Sequence, residues 1–496
     1  MLFFPTTDED AAYFRSQGYT GSINDMHFKA LGDLGYTGSL NDRIRACLTF
    51  KYGSYYEAMR DLRNGTSVFA LSSYIINGFD PALVFDFKGD YFRKSATTST
   101  FGASITHARA SSATMMNASG TLVTVGNNVP RTGHHIYNGS AWVNEGILHE
   151  SEARTNLMTS SGDLAGTGWT GQATFGTVTS GSPFGNYQSL SPTQNNANLG
   201  AAQRYQIGKS ITSGATYVGW SLVKYSAGSG WFVVNMYDTG KANEQAYFDL
   251  QNGVVGSKDP LIIDHGMIDY GDGWWLCWAS SNAASGSGGM ANEMPNGDGV
   301  QSCSAADVIL IAGSQFELGP TQSSYIPTTS ATVTRAAETL TVPAANLPYS
   351  STNMSIQMDG KMTYADTGIS SEVEYYRWLL PTTNYINSTV QAYSSKTGEP
   401  VFSQRDSATA LDSVVGSGNT YSPDTNVPFN FAVRHGSTFI NAANEGTLLT
   451  ANTTPTALPN LSSSDLTLGF DFMGTIGQFR MWSEDLTDVG IAEAST

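Results

Sequence analysis

The chain is short of charge, of cysteine and of long apolar runs, and each shortage removes a class of protein. Only 14% of the 496 residues are Asp, Glu, Lys or Arg, a balance unlike that of an α-rich enzyme, whose helices carry charged outer faces. Positive charge is the scarcer sign. The net charge of −17 argues against nucleic acid as a partner, because phosphate contacts need Lys and Arg, and it favours solubility. The three cysteines, Cys47, Cys277 and Cys303, are an odd number without a CxxC pair. They read as buried free thiols, with a Cys277–Cys303 bridge left open because both fall in one expected domain. No run of 18 apolar residues occurs, so no membrane insertion is expected. The opening Met1–Glu9 lacks the basic and apolar regions of a secretory signal, which points to assembly in a cytoplasm.

Catalytic patterns are equally scarce. There is no GxSxG, HExxH, Walker or EF-hand loop. Of the seven histidines only His134 and His135 are adjacent, and neighbours on a strand point to opposite faces, which makes a poor metal pair. Glu145, Glu150 and Glu152 could imitate the two carboxylates of a glycosidase, but Glu152 beside Arg154 reads better as a structural ion pair. The expectation is a protein that is not an enzyme and has no catalytic residues.

What is abundant is turn and core material for β-structure. Glycine alone numbers 52, and aromatics at 11% supply the apolar faces of a packed sandwich. The length calls for two to four domains. At the N-terminus Gly18-Tyr19-Thr20-Gly21-Ser22-Ile23-Asn24-Asp25 returns as Gly35-Tyr36-Thr37-Gly38-Ser39-Leu40-Asn41-Asp42, an offset of 17 residues. Each unit reads as a short helix and turn, with Ser22 and Ser39 as N-caps and an Asp three residues on. Such helices are too short to stand alone, so 1–67 is expected either to form a small domain or to anchor the chain in an assembly. Residues 68–150 read as strands and extended chain that wrap or link.

Over 151–337 strands are expected at 217–223, 231–237, 247–250, 273–278 and 307–311, with turn signals every 8 to 14 residues, the spacing of a sandwich or jelly roll. The Gly-, Ser-, Ala- and Asn-rich stretch 280–306 reads as a long exposed loop. The last domain, 338–496, opens on Met354–Met358 and closes on Leu466–Phe470 and Gly474–Trp482, with Asn430–Arg434 and Thr438–Asn441 between. The fold class is therefore mainly β, a small N-terminal helical segment followed by two β-sandwich domains.

Short phrases across 100–337 carry a resemblance. They are Thr106–Arg109, Ser111–Thr114, Gly120-Thr121-Leu122, Asn128-Val129-Pro130-Arg131, Gly146-Ile147-Leu148, Glu152-Ala153-Arg154-Thr155-Asn156-Leu157 with Gly168-Trp169, Gln315-Phe316-Glu317-Leu318-Gly319, Ser324–Thr329 and Thr334-Arg335-Ala336. In this order and spacing they resemble bacteriophage tail fibre or receptor-binding virion proteins whose central module is similar to a carbohydrate-binding jelly roll. The closing hairpin, with Glu484–Thr487 after it, resembles the end of a laminin-G or concanavalin-like sandwich. The Gly-Tyr-Thr-Gly units are similar to helical pieces at the ends of phage structural proteins. The resemblance implies a virion protein, assembled with other virion proteins through its N-terminal segment, that attaches to a host cell-surface glycan as a homo-oligomer, with a trimer as one form. No heptad run supports a coiled-coil trimer. The alternative is a capsid decoration or head-fibre protein with a purely architectural role. A secreted carbohydrate-active enzyme is the third reading, disfavoured by the missing signal and catalytic pattern.

Sugar rings stack an apolar CH face on aromatic planes and pair hydroxyls with Asn, Asp and Gln. Trp231, Tyr237, Trp274, Trp275 and Trp278, near Asn235, Asp238 and Asp272, are the candidates for that chemistry. Alternation puts Trp274 and Trp278 on one face and Trp275 with Cys277 on the other, so one of those sets belongs to a core. No cofactor is expected beyond a structural calcium, which the resemblance allows and which Asp264, Asp269 and Asp272 do not specify by their spacing.

Overall fold

The computed structural model describes residues 29, 74–95, 97–240, 244–363, 373–380, 383–390, 398–406, 411–416, 420–421 and 424–496. The helical repeat expected over 1–67 lies, but for Lys29, outside the described residues, as does Cys47. The chain forms two compact units, Met1–Pro81 and Ala82–Thr496. Lys29 aside, the described part of the first holds a tight turn in which Ile76 and Phe79 exchange backbone hydrogen bonds of 3.0 and 2.8 Å.

The second unit is mainly β, as expected, and contains two sandwiches. In the central one, a seven-stranded sheet runs Thr174–Phe175, Gly185–Ser191, Val308–Leu318, Thr216–Ala227, Trp274–Asn282, Ile262–Asp269, with Thr179–Ser182 added at Gly185–Ser191. It faces a five-stranded sheet ordered Gln203–Ser210, Ser287–Glu293, Trp231–Asp238, Gln245–Asp249, Val254–Lys258. Period-2 alternation turns Val223, Cys277, Phe232, Val234, Met236, Phe248 and Met290 into the shared core. Cys277 and Cys303 are both buried free thiols.

The stretch 280–306 is not one long loop. Its Ser287–Glu293 segment is a central strand, paired on both sides. Its small residues are what central placement demands here, since a Cβ on Gly289 would lie 2.1 Å from the Gln206 carbonyl oxygen. A composition that reads as turn chemistry was selected by close backbone approach.

The C-terminal sandwich holds the strands expected in 338–496 and borrows others. One sheet orders Thr97–Ser99, Tyr91–Lys94, Leu83–Asp86, Met473–Trp482, Asn353–Met362, Val427–Gly436, Ile440–Asn444, Thr447–Leu448, with Ile147–Glu150 also paired to Met473–Trp482. Its partner runs Asp412–Val415, Pro400–Arg405, Asn384–Val390, Val373–Leu380, Leu466–Phe470, Thr339–Val342, Thr106–Ala108. Phe85, Met358, Tyr376, Trp378, Phe431 and Phe479 pack between the two sheets. Strands from 83–150 thus complete this sandwich from the far end of the sequence. A helix, Thr487–Ala494, packs against Val427–Gly436 and Ile440–Asn444 of the sheet that contains Met473–Trp482.

Candidate functional site

Arg109, Arg131, Ser324 and Arg335, from four of the phrases that carry the sequence resemblance, converge on a buried joint beside the two sandwiches. Glu338 sits at its centre, fully buried. Its carboxylate accepts from Arg109 Nη1 at 2.5 Å, from Arg131 Nη2 at 2.6 Å and from the Glu150 backbone N–H at 2.9 Å. Glu150 pairs with Arg131 at 2.7 Å and Arg335 at 3.1 Å, and accepts from the Ser324 N–H and hydroxyl. The guanidinium of Arg335 and then that of Arg131 outweigh burial and hold the Glu150 carboxyl down at about 2. Glu338 is held below the ordinary range by Arg131 and His107. His149, buried, is kept neutral by desolvation.

The neighbouring motif residues close the joint. Asn156 Nδ2 donates to Ser314 and Ile326 carbonyls, and its Oδ1 accepts from Met158 and Phe316. Gln315 Oε1 takes the Ile326 N–H at 2.7 Å, while Glu317 takes both donors of Ser323. Gly146 lets Ile476 approach, for a Cβ there would lie 2.2 Å from the Ile476 carbonyl oxygen. Glu152 pairs with Arg154 at 2.8 Å and Glu145 with Lys361 at 2.8 Å. All three carboxylates weighed as a glycosidase pair are therefore ion-paired.

The candidate binding chemistry lies on the face of the five-stranded sheet that points away from the core. With Phe232, Val234 and Met236 inside, alternation turns Trp231, Val233, Asn235 and Tyr237 outward. Cross-strand register adds Glu293 opposite Val233, Gln245 opposite Asn235, Gln203 opposite Glu293, and Tyr205 opposite Ala291. Glu293 is the hub. It accepts from Asn235 Nδ2 at 3.0 Å and from Gln245 Nε2 at 2.7 Å. Gln245 Oε1 in turn accepts from Tyr247 Oη at 2.9 Å and Gln301 Nε2 at 2.6 Å. Trp231, Tyr205 and Tyr237 are half-buried around this floor, with the two tyrosine rings 6.1 Å apart. The Trp231 ring lies over Gly256, where a Cβ would sit 2.7 Å from Cζ3. Burial, opposed by the two amide donors, pushes the Glu293 carboxyl up to about 7, and it pushes the Tyr237 and Tyr247 phenols up to about 12. The phenols are thus hydroxyl donors at neutral pH.

The structure brings Trp231 and Tyr237 together and separates them from the other three candidates. Trp274 and Trp278 are buried on the outer face of the seven-stranded sheet, packed with Trp220, Leu276 and Tyr325, which removes them as ligand platforms. Trp275 turns toward the sandwich core and packs over Gly253. Asp238 is spent on the backbone N–H groups of Gly240, Ala284 and Ser285, and Asp272 occupies a left-handed turn position. Sequence reasoning missed Tyr205, Gln245 and Glu293. The signal for the first two was their parity with Trp231 across neighbouring strands, and Glu293 was hidden in the stretch taken for a loop. Among the described residues no three of His, Cys, Asp and Glu converge to hold a metal ion.

No protein-family model matches the chain and no curated protein matches it. Among solved structures it is similar to carbohydrate-binding and receptor-binding β domains. One is the leech intramolecular trans-sialidase, at 15% identity over 29% of this chain and 23% of that one, TM-score 0.24. Another is the Ruminococcus gnavus IT-sialidase CBM40 bound to alpha2,3 sialyllactose, at 10% identity over 29% and 82%, TM-score 0.24. Domain 4 of AbnA, a GH43 extracellular arabinanase from Geobacillus stearothermophilus in complex with arabinotriose, matches at 13% identity over 36% and 82%, TM-score 0.25. The chain thus spans about a quarter of the leech enzyme, and at such scores these likenesses carry no statement about activity.

Proposed function

We propose that this protein binds glycans through the outer face of its five-stranded sheet, and that it does so as a virion protein, a tail fibre or receptor-binding protein attaching to host surface glycans. One observation carries the binding reading. Half-buried rings of Trp231, Tyr205 and Tyr237 stand around a floor of Asn235, Gln245 and Glu293 that is itself buried and internally hydrogen-bonded, which offers a sugar ring aromatic planes held by a rigid polar base. The virion reading rests on the phrases across 100–337 and on the anionic, cysteine-poor composition. Partners would be other virion proteins at the N-terminal segment, in a homo-oligomer.

The test is a glycan array with the intact protein, the Trp231→Ala variant and the Tyr237→Ala variant. Binding to a defined set of glycans, lost in both variants while the melting temperature holds, is the expected result. An array blank for the intact protein would sink the binding reading and leave the architectural role of a capsid decoration or head-fibre protein. Electron cryomicroscopy of particles carrying a C-terminal label separates tail from head, and an absence of label on particles would end the virion reading.

A further inference from the structure

A second site lies in the joint, on the other side of the central sandwich from the sheet face. A cavity of about 110 Å³ opens there between the outer faces of the two sandwiches. Trp220 and Leu276 of the seven-stranded sheet line one wall, Leu148 and Thr475 of the C-terminal sandwich line another, and Tyr137, Trp142 and Tyr270 line the mouth. The aromatic wall is continuous. Trp142 stands 5.6 Å from Tyr137 and 5.8 Å from Tyr270, and Gly120 makes room for it, since a Cβ there would lie 2.1 Å from the indole nitrogen.

Among the described residues three polar atoms on these walls have no hydrogen-bond partner: Trp220 Nε1, Thr475 Oγ1 and Gln322 Oε1. Trp220 and Thr475 are themselves almost wholly buried. Buried polar atoms are normally paired, so three orphans around one cavity call for a ligand. Their chemistry describes it. The indole N–H needs an acceptor, the Gln322 carbonyl needs a donor, and the Thr475 hydroxyl serves as either. His134 adds a neutral imidazole. Burial and then Arg131 push it down to about 3, and its Nδ1 accepts the Met116 N–H, which leaves Nε2 as a donor. Among the described residues no Lys or Arg lines the cavity, and the Glu150 carboxylate on its wall is already paired to Arg131 and Arg335. We infer that the joint holds a neutral, hydroxylated ring, a single monosaccharide unit stacked against Trp142 and Tyr270 and hydrogen-bonded to Trp220, Gln322 and Thr475.

The experiment is saturation-transfer NMR and tryptophan-fluorescence titration of the full chain with methyl β-D-galactoside and methyl β-D-glucoside. It is run on the native protein and on Trp231→Ala, which disables the sheet face and leaves the joint intact. Saturable binding that survives Trp231→Ala is expected, weakened at least tenfold by Trp142→Ala and by Thr475→Val. The latter keeps the side-chain volume and removes only an unpartnered hydroxyl, so the fold is retained. Loss of all monosaccharide binding in Trp231→Ala would overturn the inference while leaving the sheet face standing. Titrations unchanged by both joint substitutions, or tighter binding of indole than of either glycoside, would overturn it as well. A blank glycan array with a saturable Thr475-dependent titration would instead remove the sheet-face proposal and keep this one.

Discussion

At the residue scale the tryptophans divide by the face they occupy. Trp231 is half-buried over Gly256, whereas Trp278 is 3% exposed within the Trp220 cluster. Trp231→Ala should abolish glycan binding and move the melting temperature by little. Trp278→Ala should cost about 3–5 kcal/mol of stability, the range for a buried aromatic truncated to alanine, read in a denaturant titration. Glu293 gives a pH signature. Its folded carboxyl titrates at about 7 against an ordinary value of 4.5, because burial outweighs the two amide donors. Below the unfolded value both states are protonated and nothing is lost. As pH rises from about 4.5 to 7 the unfolded chain releases the proton that the folded one retains, so stability falls through that window and levels above it. Glu293→Gln should flatten that slope in a series of melts between pH 4 and 8, and an unchanged slope would remove Glu293 as its source.

At the element scale the joint and the central strand make the sharpest claims. Removing one member of a buried ion network leaves a partner charged and uncompensated, so Glu338→Ala, which takes the carboxylate from Arg109 and leaves Arg131 with Glu150 alone, should cost about 3–5 kcal/mol. The sign of the acid response is opposite to that of Glu293. Glu150 is depressed to about 2 in the folded state, so its contribution is whole above the ordinary carboxylate value and drains away as pH falls toward 2. That contribution is on the order of 3 kcal/mol for such a shift, and a calorimetric series from pH 5 to 2 would show it as a fall in melting temperature, steepest for the native chain and reduced in Glu150→Gln. Strand Ser287–Glu293 depends on Gly289, and Gly289→Ala forces a Cβ against the Gln206 backbone. We expect a loss of about 1–3 kcal/mol from overpacking, visible as a shifted denaturant midpoint.

At the scale of the whole molecule, the segment before the central sandwich is part of the C-terminal one. Leu83, Val84, Phe85, Phe87, Phe92 and Ile147 are all buried, most of them in that core. At about 1.5–3 kcal/mol for each buried side chain, their combined contribution is on the order of 10 kcal/mol, comparable to the entire stability of a domain. Residues 338–496 expressed alone should therefore fail to fold. Adding residues 82–150 in trans should restore a cooperative melt, and a stable isolated 338–496 would contradict the shared-sheet arrangement.

Much of the fold was legible because period-2 alternation and turn residues are local properties. Tyr217–Val223, Trp231–Tyr237, Asn430–Arg434 and Gly474–Trp482 declare themselves as strands wherever they end up, and the two-sandwich class follows from their number and spacing. The parity that puts Trp231 and Tyr237 on one face is likewise written in the chain. What covers a face is not. Trp274 and Trp278 alternate as well as Trp231 does, and only the packing of Phe184, Tyr270 and Tyr325 onto their sheet buries them. The pairing of Leu83–Asp86 and Ile147–Glu150 with Met473–Trp482 and the meeting of Arg109, Arg131, Glu150 and Glu338 span more than two hundred residues. A local pair such as Glu152 with Arg154 can be read from the chain, but no window of sequence contains both ends of the longer contacts, so burial and the charge pairing of the joint were decided by tertiary structure alone.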